Sequence, residues 1–190
     1  STFDMQENML TLTNWLMDGT LENAALRGGY LAGITATTGL QIFGVVTVDH
    51  DNVFETDVVV TGTLQSNEYG GGAGYFDLMV EGSLTNHGLI KNFNSGDRLL
   101  LWISGDLINN GQWENYQTTL NGTSDQAIRL MQNNPIDGQI FFDAMIETGP
   151  YQWYFEDGPL NTSDFGGETD RLLSWNVPVS QEWYGTFYCE

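Results

Sequence analysis

An eleven-residue phrase occurs twice in this chain with its internal spacing intact. Gly82-Ser83-Leu84-Thr85-Asn86-His87-Gly88-Leu89-Ile90-Lys91-Asn92 returns as Gly105-Asp106-Leu107-Ile108-Asn109-Asn110-Gly111-Gln112-Trp113-Glu114-Asn115. Gly, Leu, Asn, Gly and Asn recur at the same offsets. Fainter copies begin at Gly19-Thr20-Leu21-Glu22-Asn23 and at Gly62-Thr63-Leu64-Gln65-Ser66-Asn67. A phrase that returns at a nearly fixed period marks one structural unit stacked on itself.

The residues of the phrase say what kind of unit it is. Gly19, Gly39, Gly62, Gly82 and Gly105 stand about twenty to twenty-three residues apart, which suits a coil of three short strands per turn. In such a β-solenoid each strand pairs with its equivalent one rung away, at about 4.8 Å. Five or six rungs then make a column roughly 25 Å tall. Leu21, Leu64, Leu84 and Leu107 are expected to form one inward ladder. Asn23, Asn86 and Asn109 are expected at corners, because Asn tolerates the left-handed conformation and bonds nearby backbone. Glycine fits where the chain bends tightly. The competing reading is a plain antiparallel β-protein with chance Gly-x-Leu phrases.

Periodicity elsewhere agrees with an all-β chain. Ile42–Val48, Val53–Val60, Tyr75–Val80, Leu99–Ile103 and Ile140–Ile146 read as the clearest strands, punctuated by Gly, Asn and Asp. The stretch Met9–Met17 is the best helical candidate, though its Thr11, Thr13 and Trp15 suit a strand equally well. Gly70-Gly71-Gly72-Ala73-Gly74 lacks the Lys-Ser/Thr that completes a phosphate loop, and reads as an excursion from a rung.

The repeat fades after Asn121-Gly122-Thr123-Ser124-Asp125-Gln126, and Pro135 and Gly138 mark a break. Tyr151-Gln152-Trp153-Tyr154, the turn Glu156-Asp157-Gly158-Pro159 and Tyr184-Gly185-Thr186-Phe187-Tyr188-Cys189 follow a different grammar. In an immunoglobulin-type sandwich a Trp lies on the third strand and a Tyr precedes a Cys by two residues on the sixth. Here Trp153 would be the core Trp, Phe187 would stand at the Tyr position, and Cys189 would be the second Cys. No partner Cys exists and a seventh strand is missing. The expected organisation is a short right-handed β-solenoid over residues 1–132, followed by a partial immunoglobulin-like β-sandwich over residues 133–190. The competing reading has these last strands capping the solenoid's open edge.

Charge narrows the partners. Five Lys and Arg stand against 25 Asp and Glu, a formal charge of -20. Such a surface repels phosphate backbones and anionic lipid heads, so neither nucleic acid nor membrane insertion is expected. No apolar run is long enough for a spanning helix. Hydrophobic residues make up 41% of the chain, enough to build a core rather than a disordered acidic tail. The lone Cys189 cannot form an internal disulfide. Low Lys with abundant Asn, Thr, Gly, Trp and Tyr leans extracellular, and a start at Ser1 fits a mature secreted protein.

The Gly-x-Leu-x-Asn-x-Gly repeats, followed by Leu120-Asn121-Gly122-Thr123-Ser124-Asp125-Gln126-Ala127-Ile128, the Tyr-Gln-Trp-Tyr strand and the Gly-Thr-Phe-Tyr-Cys ending, resemble repetitive surface proteins. These are the proteins exported by the type IX secretion system of gliding and biofilm-forming bacteria. The resemblance covers roughly residues 19–190. It implies cell-surface or extracellular placement and adhesive or matrix-building roles, and it transfers no catalytic residue. The C-terminal sorting domain of that group is missing here.

Chemistry-bearing residues are sparse. Asp49-His50-Asp51-Asn52 is the densest cluster of possible metal ligands, yet it lacks the Gly and Glu of a calcium-binding loop and reads as a solvated turn. Asp157, Asp164, Glu168 and Asp170 form a second acidic region with the same reading. His50 and His87 are the only histidines, no nucleophile elbow occurs, and Cys189 reads as a core thiol. A polysaccharide hydrolase would need two carboxyls about 5–9.5 Å apart beside a groove; Asp57, Asp77, Glu81 and Asp106 qualify by abundance alone. A lyase on an acidic polymer would need Lys or Arg to bind carboxylates and stabilise the anion, and five cations in the whole chain argue against it. Asn121 and Asn161 head N-glycosylation patterns. Trp102, Trp113, Tyr116, Trp153, Tyr154, Trp183 and Tyr184 could stack on sugars or pack in the core. No catalytic, cofactor-binding or metal residue is assigned. The expected function is a non-enzymatic structural or adhesive protein whose partners are its own copies or other surface proteins. A glycan-binding module is the alternative, and a polysaccharide-degrading enzyme stands behind both.

Overall fold

The computed structural model describes residues 2–6, 8–68, 73–124, 126–130 and 136–143, and beyond them the backbone of five further strands. Every element among them is a strand. β1 (Thr2–Asp4) and β2 (Met9–Thr11) precede two long strands, β3 (Trp15–Arg27) and β4 (Tyr30–Ile42). Short strands then succeed one another in threes: β5 (Val45–Val48), β6 (Asn52–Phe54) and β7 (Val58–Val60); β8 (Thr63–Ser66), β9 (Gly74–Val80) and β10 (Leu84–Asn86). The series continues with β11 (Leu89–Lys91), β12 (Asp97–Ile103) and β13 (Leu107–Asn109), then β14 (Gln112–Glu114), β15 (Gln117–Leu120) and β16 (Gln126–Leu130). β17 (Gln139–Asp143), β18 (Trp153–Phe155), β19 (Gly158–Pro159), β20 (Phe165–Gly166), β21 (Leu172–Trp175) and β22 (Trp183–Cys189) complete the set.

Pairing follows the threes. Each strand from β5 to β13 pairs in parallel with the strand three places on, so three faces rise side by side. β4 supplies a whole rung by itself, with Tyr30–Leu31 under β5, Thr35–Ala36 under β6 and Leu40–Ile42 under β7. β3 stacks on β4 along its full length, and β1 and β2 stack on β3. The result is an all-β, mostly parallel, curled sheet compatible with a β-helix. Parallel strands buried on one side need a long return path between partners, and here that path is the other two faces of the rung.

The core is a set of vertical ladders. On one face Ala24, Leu40, Val58, Leu84, Leu107 and Ile128 lie in register, all buried. On the next, Val46, Leu64, Ile90, Trp113 and Ile136 stack. On the third, Leu21, Ala36, Phe54, Val80, Ile103, Leu120 and Phe142 stack. Burial of these apolar side chains, at roughly 25 cal/mol per Å² removed from water, supplies most of the driving force. β9 and β12 show why strands form: buried and less buried residues alternate strictly along both, the period of two that a pleated strand requires.

Three expectations change. Leu84 and Leu107 share a ladder, but Leu64 and Leu21 belong to the other two. The reason is that the rungs from β8 to β16 turn on glycine at two corners, not one. A Cβ on Gly105 would lie 2.6 Å from the backbone of Gly82 and Ser83, whereas one on Gly111 would strike Gly88, one on Gly88 would strike Gly62, and one on Gly62 would strike Gly44. Gly62-Thr63-Leu64 is therefore equivalent to Gly88-Leu89-Ile90.

The asparagines also separate. Asn23 does sit in the left-handed region, at φ 48°. Asn86 and Asn109 instead point inward and are fully buried. Asn86 Nδ2 donates to Asn109 Oδ1 at 2.8 Å and to the Gln112 carbonyl at 2.9 Å, while the Gly88 N–H donates to Asn86 Oδ1 at 3.0 Å. The Gly111 N–H does the same with Asn109 Oδ1. These side chains satisfy turning backbone from inside the column, where water cannot.

Strand lengths and rung lengths differ from the reading as well. The apolar runs Ile42–Val48 and Val53–Val60 are each broken by a corner, between β4 and β5 and between β6 and β7. Leu40 to Val58 is 18 residues, Val58 to Leu84 is 26, Leu84 to Leu107 is 23 and Leu107 to Ile128 is 21. The longest rung contains the glycine run, of which residues 69–72 lie outside the described residues. Met9–Met17 holds β2 and the start of β3 with a bend between them, the strand alternative and not the helix. β17 pairs with β15 in parallel.

Beyond β17 the direction changes. β22 runs antiparallel to β16, with Ile128 opposite Gly185, and β21 runs antiparallel to β17. β18 lies on the other side of β22, pairing Trp153 with Cys189.

Candidate functional site

The corner between β5 and β6 carries the acidic cluster singled out in the sequence, and most of it is engaged in holding the corner. Asn52 is buried. Its Oδ1 accepts from the Ile34 N–H at 3.1 Å, and its Nδ2 donates to the carbonyls of Leu31 at 3.1 Å and Asp49 at 2.9 Å. Asp49 Oδ2 accepts from Asn67 Nδ2 at 2.9 Å, and its Oδ1 lies 3.1 Å from His50 Nε2. The His50 ring rests flat on the buried Phe76, with centroids 5.1 Å apart. Among the described residues no group of three or more His, Cys, Asp or Glu converges as a metal site would require.

The same corner contains a cleft that the sequence did not disclose. It has a volume of about 400 Å³ and is lined by Trp15, Met17, Asp18, Asp49, His50 and Asp51 over a floor of Ala32 and Gly33. The register places Asp18, Gly33 and Asp51 one above another on three successive rungs. All three have left-handed backbone, at φ 51°, 62° and 61°. At Gly33 a Cβ would come within 2.6 Å of Asp18 Oδ1, so the missing side chain keeps the floor low. Trp15 and Tyr30 lie one rung apart and stack at 5.0 Å with 28° between their planes. Both are substantially exposed, Trp15 at 42%. The signal for this pair was their spacing of fifteen residues, which a period of twenty or more hides.

The other candidate residues are placed elsewhere. Trp113 is core, only 1% exposed, with its Nε1 donating to Asn115 Oδ1 at 2.8 Å and Thr118 Oγ1 at 3.1 Å. Trp102 Nε1 donates to Asp77 Oδ1 at 3.3 Å. Tyr116 and Tyr75 hold the Arg98 guanidinium, at 4.2 and 5.4 Å from their ring centres, and Arg98 Nη1 donates to the Tyr75 hydroxyl at 2.8 Å. That patch is aromatic and charged, but its groups satisfy one another. Asp57 and Asp106 cap the next rung: Asp57 Oδ1 accepts from the Ser83 N–H at 2.7 Å and Asp106 Oδ1 from the Ala127 N–H at 2.8 Å. Glu81 is exposed. His87 Nδ1 faces Asn110 Nδ2 at 3.3 Å, across one rung. Asn121 accepts from Ser104 Oγ at 3.2 Å.

Asp157, Asp164, Glu168, Asp170 and Asn161 lie outside the described residues, and Trp153, Tyr154, Trp183, Tyr184 and Cys189 are described as strand positions only. No protein-family model, curated protein or solved structure matches the chain.

Proposed function

We propose that the chain is a non-enzymatic structural or adhesive module of an extracellular or cell-surface protein, of the kind exported by the type IX secretion system. In this reading it is a short right-handed β-solenoid leading into an immunoglobulin-like sandwich, and its work is to join copies into a fibre or layer. The observation that carries it is the unbroken ladder from Ala24 through Ile128. A one-dimensional stack with fixed inward chemistry makes a rigid spacer, and its stability grows with each neighbour-to-neighbour interface. Right-handedness follows the strong preference of parallel crossovers.

The immunoglobulin-like reading draws support from register. The strand with the candidate core Trp pairs with the strand that ends in Cys, Trp153 opposite Cys189, as the third and sixth strands of such a sandwich do. β22 is flanked on its other side by β16, at the position a seventh strand takes beside the sixth in such a sandwich. The last rung of the solenoid then doubles as an edge strand of the sandwich, so the two units share one sheet.

Assembly draws on the opposite end. β1 and β2 pair on one side only among the described residues, and Phe3 and Met9 on them are exposed. An unpaired edge with exposed apolar residues is a template for another strand. Light scattering over rising protein concentration at physiological salt tests this. Mass should increase with concentration, and Phe3→Lys with Met9→Lys should hold the protein monomeric. A monomer at every concentration would refute joining through this edge.

A further inference from the structure

The cleft between Trp15 and His50 has features that the scaffold reading does not require. The corner itself is best served by glycine, as Gly33 shows, yet the rungs on either side carry Asp18 and Asp51 at the same left-handed backbone. Asp tolerates that conformation but gains nothing from it over glycine. Asp49 adds a third carboxylate, and among the described residues no Lys or Arg lines the space. Among the described residues the one lining group of opposite character is His50, already turned to Asp49. Beside this acidic pocket stands an exposed stacked aromatic pair, Trp15 on Tyr30, with Met17 60% exposed below it. Exposed aromatic faces outside a core are the surfaces on which pyranose rings and organic cations rest.

We infer that this cleft binds a glycan bearing free amino groups, with a sugar ring on Trp15 and its ammonium between the carboxylates of Asp18 and Asp51. The size fits, since about 400 Å³ is at the small end of ligand cavities and takes one or two sugar rings. The charge fits, because an ammonium supplies the cation that the lining lacks, and charge-assisted hydrogen bonds are about twice as strong as neutral ones. The same charge rejects uronic, sialic or sulfated sugars, whose anions would meet three carboxylates at close range. The Tyr75–Arg98–Tyr116 patch is a poorer site, because its cation and rings are already paired with each other. This inference stands apart from assembly through β1 and β2 and is tested on the monomer.

The experiment is calorimetric titration of the whole chain with a glucosamine tetramer, its fully N-acetylated counterpart and a uronate tetramer. The amine form should bind, the acetylated form about tenfold more weakly, and the uronate not at all. Trp15→Ala should weaken both neutral and amine forms by about tenfold. Asp51→Asn keeps the backbone conformation, because Asn tolerates it, and should weaken only the amine form. If Trp15→Ala fails to fold, Asp51→Asn and Asp18→Asn decide the matter alone. The inference is overturned if no tetramer binds, if amine and acetylated forms bind equally, if neither aspartate variant changes the amine affinity, or if a tetralysine peptide binds more tightly than the sugar.

Discussion

Asn86 and Asn23 stand at the same place in two copies of one phrase, and the structure gives them opposite roles. That contrast is measurable by replacing each with glycine. At position 86 the change removes three bonds, to Asn109 Oδ1, to the Gln112 carbonyl and from the Gly88 N–H, all between 2.8 and 3.0 Å. A net of about 1 kcal/mol per bond gives about 3 kcal/mol. A glycine in a strand adds about 0.5–1 kcal/mol, for a total of about 4 kcal/mol. In a chain of this size that corresponds to a fall of roughly 10 °C in Tm. Asn23 already has φ 48°, where glycine is at ease, and its side chain makes one exposed contact, to Asp4 Oδ1 at 3.3 Å. Asn23→Gly should therefore change stability by less than about 1 kcal/mol, since exposed polar contacts contribute little. Urea unfolding followed in parallel by tryptophan fluorescence and far-UV circular dichroism reads both, and coincident curves justify a two-state treatment. The inward-ladder reasoning is refuted if Asn86→Gly costs under about 1 kcal/mol, or if the two variants are equally destabilised.

Two more outcomes follow from the same geometry. Leu107→Ala empties a fully buried position between Leu84 and Ile128 and should cost about 3–5 kcal/mol, whereas its outward neighbour Ile108→Ala should cost less than half of that by the same urea assay. Gly105→Ala places a Cβ within 2.6 Å of backbone on the rung before it, so expression of folded protein should drop sharply; Gly39→Ala, where the nearest atom is 4.0 Å away, should leave a folded protein weakened by about 1–2 kcal/mol from its left-handed backbone.

Fold class was legible because it rests on local rules. The alternation in Tyr75–Val80 and Leu99–Ile103 needs no knowledge of the partner strand, and the pairing of Leu84 with Leu107 follows from the strength of that one repeat. Rungs of 15 to 18 residues in the first third are not legible from a phrase that returns at twenty or more. The cleft is hidden for the same reason. Trp15, Tyr30, Asp18 and Asp51 are neighbours only once the short rungs bring them to one corner.

The sequence by itself determined that this chain stacks: glycines at repeated intervals admit close rungs, and alternating residues supply an inward face. Only the tertiary structure decided which ladder each residue joins. Two glycine corners per rung look alike in a linear text, and only the register of parallel strands tells them apart. The same register turned Asn86 and Asn109 inward, where they bond backbone sealed from water, and left Asp18 and Asp51 facing out across Gly33.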